Sequence, residues 1–258
     1  MTATHRTDTG VAMASDTTEN TIHPSAFIGD GVEMGTGISV GPMAVIVGPT
    51  RIGDGVWIGA GTQIGGPPEI TSERHNLAWT GDLDHQGVVI EDGAHLRELV
   101  VIHQGTTRPT VIGANSWLLN RAYVAHDVVL GEQVTLSAGV SVGGRCNIRR
   151  QTNIGMNASV HQRSNIGALS MIGMGTPVSR DIPPFAKAYG TPIRVNDVND
   201  FGMRRSGLNE TTIEAIRTSY ASGDLDVDPA AVETGIFAEE LTWWSQVENR
   251  NPASVSTR

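Results

Sequence analysis

Residues 112–178 read IGANSW LLNRAY VAHDVV LGEQVT LSAGVS VGGRCN IRRQTN IGMNAS VHQRSN IGALSM IGMGTP V, and their spacing decides the fold. An aliphatic residue opens every block of six, from Ile112 through Leu118, Val124 and Leu130 to Ile172 and Val178. The fifth place of each block is usually small or β-branched, as at Ala122, Val128, Val134, Val140, Cys146, Thr152 and Ala158. A helix repeats about every 3.6 residues and a strand every two, so neither yields a six-residue beat. Such a beat is the pattern of a β-helix, in which each block forms one short strand plus a corner and stacked coils bury a continuous core.

The beat extends outward from this stretch. It runs through Ile22, Ile28, Met34, Val40, Ile46, Ile52, Ile58 and Ile64, and again through Ile90, Leu96 and Ile102. Two polar stretches interrupt it, 66–89 and 104–111, the second reading QGTTRPTV. Long insertions in so regular a scaffold are expected to be functional loops. Beyond Pro183-Pro184 the beat stops, and SGLNETTIEAIRTSYASG (206–223) carries Ile213, Ile216 and Tyr220 at helical spacing behind Asn209 as N-cap. DPAAVETGIF (228–237) and AEELTWWSQVENR (238–250) read as two further helices. The expected organisation is a disordered leader over 1–20, a β-helix over 21–184 carrying the two loops, a helical cap over 185–250 and a frayed tail over 251–258.

Composition narrows the function. A net charge of −9 argues against nucleic acid as a partner, since phosphate backbones demand clustered Lys and Arg. The single cysteine, Cys146, excludes an intrachain disulfide framework and a CxxC metal site. No apolar run reaches membrane-spanning length and the N-terminal stretch lacks a signal-peptide core, so a soluble cytoplasmic protein is expected.

The [LIV]-G-x-x-[STAV]-x repeat resembles that of the hexapeptide acyltransferases. The resemblance implies a left-handed parallel β-helix with three blocks per coil, packed as a homotrimer. Stacking by eighteen then sets Asp127, Arg145 and Arg163 above one another, about 4.8 Å apart per coil. Gln104 falls below His126, and Gly144 and Gln162 above it; His103 and His161 lie beside this column. His126 and Asp127 take the third and fourth places of their block, a corner whose side chains are expected to face outward. Histidine exchanges protons near neutral pH, and a neighbouring carboxylate stabilises the imidazolium, so the pair suits general-base chemistry.

Several motifs resemble one branch, the UDP-N-acetylglucosamine O-acyltransferases of lipid A biosynthesis, across roughly residues 21–220. VVIHQGT (100–106) is similar to the family's IHRGT, NRAYVAHD (120–127) to its NAHIAHD, and ASVHQ (158–162) carries its VHQ. The long block from Asp181 to Asn209 matches its VPPY, GNPA and RRG motifs. By this resemblance His126 is the general base and Asp127 its partner. Asn199, Arg204 and Arg205 would lie near a nucleotide or carrier phosphate, which guanidinium forks suit. Met174 takes the place of a ruler residue that limits acyl-chain length; a bulky side chain there implies a short or medium acyl group. The resemblance also implies no cofactor and no metal, only an acyl thioester on acyl carrier protein or CoA and a small-molecule acceptor.

The departures fall on the acceptor side. The family's DLKY reads NLAW here, with Asn76 and Ala78 in place of its acid and lysine. Tyr123 and Arg145 stand where the family has histidines, and Ser206 replaces its third arginine. The expected activity is acyl transfer to a hydroxyl or amine of a sugar nucleotide or related acceptor. The alternatives are CoA-dependent N-acylation of an amino sugar or small amine, and a non-catalytic β-helix scaffold. A third, carbonic anhydrase on the same fold, needs histidines about five apart converging on zinc, and no histidine lies five from His126.

Overall fold

Every sixth residue points to the prism axis because each six-residue block ends in a turn through the left-handed backbone region. The fourth places of successive blocks show it: Arg121 (φ 61°), Asp127 (60°), Gln133 (55°), Gly139 (72°), Arg145 (64°), Gln151 (56°) and Asn157 (56°). That conformation costs a non-glycine residue about 1 kcal/mol or more, yet each corner is pinned to the coil beneath it, as by Arg145 N–H donating to the His126 carbonyl at 3.0 Å. The computed structural model describes residues 18–72, 75, 85–231 and 235–256. Residues 1–17, Asn76 and Ala78 lie outside these, while Asn20 already bonds the first coil through Gly35 and Ile38.

Among the described residues the strands form three flat faces, ten strands in face A, eight in face B and seven in face C, parallel throughout except for the last strand of face A. Partners sit eighteen residues apart, as Tyr123 with Ser141 and Ser141 with Ser159; below them, Ile102 pairs with Val124, the insertion taking up the difference. The first and fifth places of the blocks line the core: Leu118, Ala122, Val124, Val128, Leu130, Val134 and Cys146 are all buried. Each such aliphatic side chain contributes about 1.5–3 kcal/mol on burial. The coils pack tightly enough that a Cβ at Gly131 would lie 2.6 Å from Arg150 N.

The prism runs further than the beat. Ala186–Tyr189 adds a rung to face A, parallel to Met171–Ile172, and Arg194–Val198 pairs with it antiparallel. The six-residue pattern is missing because helices, not another coil, cover this end. Phe185, Met203, Ile213, Ile216 and Tyr220 are buried there, and the Tyr220 hydroxyl donates to the Pro184 carbonyl at 2.6 Å. The cap contains α1 (Asp200–Arg205), α2 (Glu210–Ser222) and α3 (Ile236–Gln246). Asn209 caps α2 as expected, accepting from Thr212 N at 2.8 Å. Of the helix expected over 228–237, Pro229–Ala231 forms a 3-10 turn and Ile236 and Phe237 open α3, with 232–234 outside the described residues; α1 was not legible in the periodicity.

The tail is not frayed as far as residue 256. Asn251 N–H donates to the Asp181 carboxylate at 2.7 Å, Ala253 N–H to the Asp181 carbonyl at 2.9 Å, and Ala253 is buried. Backbone bonds to the open edge at Asp181 and Val195 hold a segment whose composition alone reads as loop. No described helix is long and apolar enough to cross a membrane.

Candidate active site

The prism has three edges, and the polar column lies on the edge between faces B and C. Asp127 departs from the outward orientation expected of a corner. Its carboxylate is fully buried, and only 13% of the His126 side chain is exposed. The cover is the 104–111 insertion, whose extra residues fold over the corner one coil up. Thr106, Thr107 and Arg108 donate their backbone N–H groups to Asp127 Oδ1 at 2.9, 2.8 and 3.0 Å. The Thr106 and Thr107 hydroxyls add bonds at 2.8 and 3.1 Å. Arg108 Nε donates to the Asp127 carbonyl at 2.8 Å, and Asp127 N–H to Thr110 Oγ1 at 2.9 Å.

Burial alone would push the Asp127 carboxyl upward. The bonds from His126, Thr107, Arg108 and Thr106 outweigh it and hold the group well below the usual carboxylate range. This fixes the histidine. A carboxylate can only accept, so the 2.6 Å contact between His126 Nδ1 and Asp127 Oδ2 requires the proton on Nδ1. In the neutral ring Nε2 then carries the lone pair. A Cβ on Gly144 would lie 2.5 Å from that Nε2, so the ring needs glycine one coil above it.

Arg145 forms the salt bridge to Asp127 that its stacking allows, but no hydrogen bond with it. Its Nε stops 3.7 Å from Oδ2, is buried, and has no hydrogen-bond partner. The carboxylate has no free lone pair to give, being already committed to the loop and to His126.

Other residues of the column are placed less simply. Gln104 is buried, with Nε2 donating to the carbonyls of Gly48 and Gly65 at 2.7 and 2.6 Å; it ties coils together and leaves only Oε1 without a partner. His103 Nδ1 bonds the Pro67 carbonyl at 2.7 Å, its Nε2 lying 3.8 Å from Glu69. Tyr123 donates its hydroxyl to that same Glu69, and burial with this bond raises its pKa. His161 and Gln162 are exposed at the upper end of the column, His161 Nδ1 meeting the Gln162 carbonyl at 3.0 Å.

The remaining expected site residues are on other edges of the same chain. Met174, 69% exposed, follows the face A strand Met171–Ile172 and sits with Met156 on the A–B edge. Asn199 packs on the C–A edge, where its Nδ2 donates to the Leu169 carbonyl at 2.8 Å and its Oδ1 caps α1 through Gly202 N–H. Both ends of that amide are therefore used by the fold. Arg204 is held between Asp200 at 2.9 Å and Glu210, so its expected phosphate role would require two carboxylates to be displaced. Arg205 lies 5.9 Å over the exposed Phe201 ring.

Sequence reasoning set Gly144 above His126 without giving it a role, and it missed Thr106, Thr107 and Arg108. The signal available was register: the insertion begins one coil below His126, and Gly144 falls directly above it.

Comparison with known proteins places this geometry. The bacterial transferase hexapeptide model matches residues 109–144, and the model for domain 2 of UDP N-acetylglucosamine O-acyltransferase matches residues 181–222. An acyl-[acyl-carrier-protein]–UDP-N-acetylglucosamine O-acyltransferase from Pseudomonas putida W619 is 33% identical over 216 residues, covering 78% of this chain and 83% of that protein. This chain belongs to that acyltransferase family. The family enzyme from Stutzerimonas stutzeri A1501 is 32% identical over 77% of this chain and 82% of its own. Among solved structures, UDP-N-acetylglucosamine O-acyltransferase from Moraxella catarrhalis superposes with a TM-score of 0.63 at 28% identity, over 77% of this chain and 82% of that one. The enzyme from Campylobacter jejuni shares the fold with a TM-score of 0.73 at 23% identity, over 92% and 100%.

Proposed function

We propose that the protein transfers an acyl group from an acyl carrier protein thioester to a hydroxyl of a sugar-nucleotide-like acceptor, with His126 as general base. The observation that carries this reading is the buried carboxylate that fixes the proton on Nδ1 and frees Nε2. Nε2 takes the proton of the acceptor hydroxyl as its oxygen attacks the thioester carbonyl. The tetrahedral intermediate collapses with C–O formed and C–S broken, and the departing thiolate recovers the proton from the imidazolium. Asp127 stabilises the imidazolium during transfer. CoA thioesters present the same reacting group, and the donor test below includes them.

The enzyme is proposed to work as a homotrimer. His126, Met174 and the Asn199–Arg205 segment occupy three different edges of one prism. They can act on one pair of substrates only where the edges of neighbouring copies meet. Light scattering should give a trimer; a stable monomer with full activity would sink this part of the proposal.

The test of function incubates the purified protein with acyl carrier protein and CoA thioesters against UDP-N-acetylglucosamine, other sugar nucleotides and amino sugars, reading acylated product by mass. Product from the parent and none from His126→Ala, at unchanged melting temperature, is expected. No product from any pair, or a His126→Ala variant within a few-fold of the parent, would refute it. Asn76→Asp with Ala78→Lys, which restores the family's residues, should raise turnover of UDP-N-acetylglucosamine itself.

A further inference from the structure

We propose that Arg145 and Arg163 form an anion subsite beside the dyad, and that the acceptor carries a carboxylate or phosphate close to its reacting hydroxyl, as a sugar acid or sugar phosphate does. The identity of the occupant as acceptor rests on the acyl-transfer reading; the anion subsite itself does not.

Arg145 is adjacent in sequence to Gly144, which covers the His126 ring, and shares one carboxylate oxygen with that ring. Oδ2 of Asp127 lies 2.6 Å from His126 Nδ1 and 3.7 Å from Arg145 Nε. The guanidinium is 38% exposed, so it reaches the open side of the edge. Arg163 stands one coil higher in the same left-handed corner position (φ 64°), is exposed, and is held there by its N–H to the Gly144 carbonyl at 2.9 Å. Among the described residues neither side chain has a hydrogen-bond partner, and neither has a counter-ion within salt-bridge geometry beyond the 3.7 Å approach to Asp127. Several other arginines are ion-paired, Arg149 with Glu240, Arg150 with Glu132, Arg204 with Asp200 and Glu210, Arg217 with Glu214 and Arg250 with Asp226, whereas Arg51, Arg121 and Arg205 are in no described ion pair.

A buried guanidinium nitrogen without a partner is a group awaiting one. Asp127 offers its charge at 3.7 Å but no hydrogen bond, since its lone pairs are filled by the loop and His126. Two arginines on corners one coil apart, about 4.8 Å along the axis, can bring guanidinium forks to the oxygens of one phosphate or carboxylate.

The probe is inorganic phosphate, followed by broadening of its phosphorus resonance on titration with the intact protein, with no turnover required. Parent protein should bind it saturably, and Arg145→Gln with Arg163→Gln should weaken binding by at least about tenfold, the loss expected for charge-assisted hydrogen bonds. Glutamine already occupies the equivalent corners at 133 and 151, so these variants are compatible with the fold. Arg121→Gln, the same kind of corner on the A–B edge, should bind as the parent does. A parent that shows no saturable binding, or a double variant equal to it, would overturn the subsite. Displacement of phosphate by a sugar acid or sugar phosphate is the expected second result. Displacement by phosphopantetheine alone would assign the anion to the donor and overturn the acceptor claim. Phosphate binding that survives while every acyl pair fails would sink the acyl-transfer reading and leave the subsite standing.

Discussion

Replacing Asp127 by alanine and by asparagine should give opposite rankings for stability and for activity. In the parent its carboxylate accepts three backbone N–H groups, two hydroxyls and the imidazole, all in a fully buried corner. Alanine leaves three backbone donors without their acceptor, at about 1 kcal/mol or more each. The loss should be about 3 kcal/mol or more, read from chemical denaturation, with the 104–111 loop becoming sensitive to protease. Asparagine keeps an oxygen where Oδ1 meets the three N–H groups. It gives up the charge assistance, which roughly doubles such bonds, so its loss should be about half that of alanine.

Activity should run the other way. The asparagine NH₂ would face His126 Nδ1, which could then only accept, moving the ring proton to Nε2 and removing the base. A wrong tautomer of this kind costs on the order of 10⁴ in turnover in the serine protease triad. Alanine leaves the ring free to keep either tautomer, so Asp127→Ala should be no less active than Asp127→Asn. Acid titration adds a sign. The folded-state pKa of Asp127 is depressed, so its contribution is complete above the ordinary carboxyl pKa near 4 and fades as pH falls below it. The stability gap between parent and Asp127→Asn should therefore close in acid. An asparagine variant within about tenfold of parent turnover, against the general-base loss of about 10² or more, would refute the reasoning, as would an alanine variant as stable as the parent.

Three further expectations follow from the same geometry. Gly144→Ala sets a Cβ 2.5 Å from His126 Nε2; turnover should fall by about 10² or more with little change in melting temperature, and normal turnover would show that the ring is not held there. Cys146 is buried with its thiol pushed up to about 12 by burial, so a disulfide reagent should label it only at the rate of unfolding; prompt labelling of native protein would contradict that placement. Met174→Gly should move the preferred acyl donor to longer chains in a competition of graded lengths, each accommodated methylene being worth about 0.8 kcal/mol; an unshifted optimum would place the ruler elsewhere.

The coil repeat was legible because a β-helix writes its geometry into every block. One slip of register would turn Val124 or Val128 outward, so the aliphatic beat is under constant constraint along the chain. The end of the prism was less legible. Ala186–Tyr189 has helices rather than another coil beyond it, and Ala253 docks by backbone bonds that leave no pattern in side chains.

The candidate site divides in the same way. Stacking by eighteen set Gly144, Arg145 and Arg163 in register with His126 and Asp127, because strand pairing enforces it. It could not reveal that Asp127 points into a cradle, since an insertion belongs to no repeat and its backbone donors have no sequence signature of their own. That cradle changes what the arginines mean. Thr106, Thr107, Arg108 and His126 fill the lone pairs of the carboxylate, so Arg145 pairs with it by charge at 3.7 Å without a hydrogen bond, and its part-exposed guanidinium still reaches the open edge. If the dyad carries acyl transfer as proposed, Arg145, 3.7 Å from Asp127 and part-exposed on the same edge, bears directly on what the acceptor must carry.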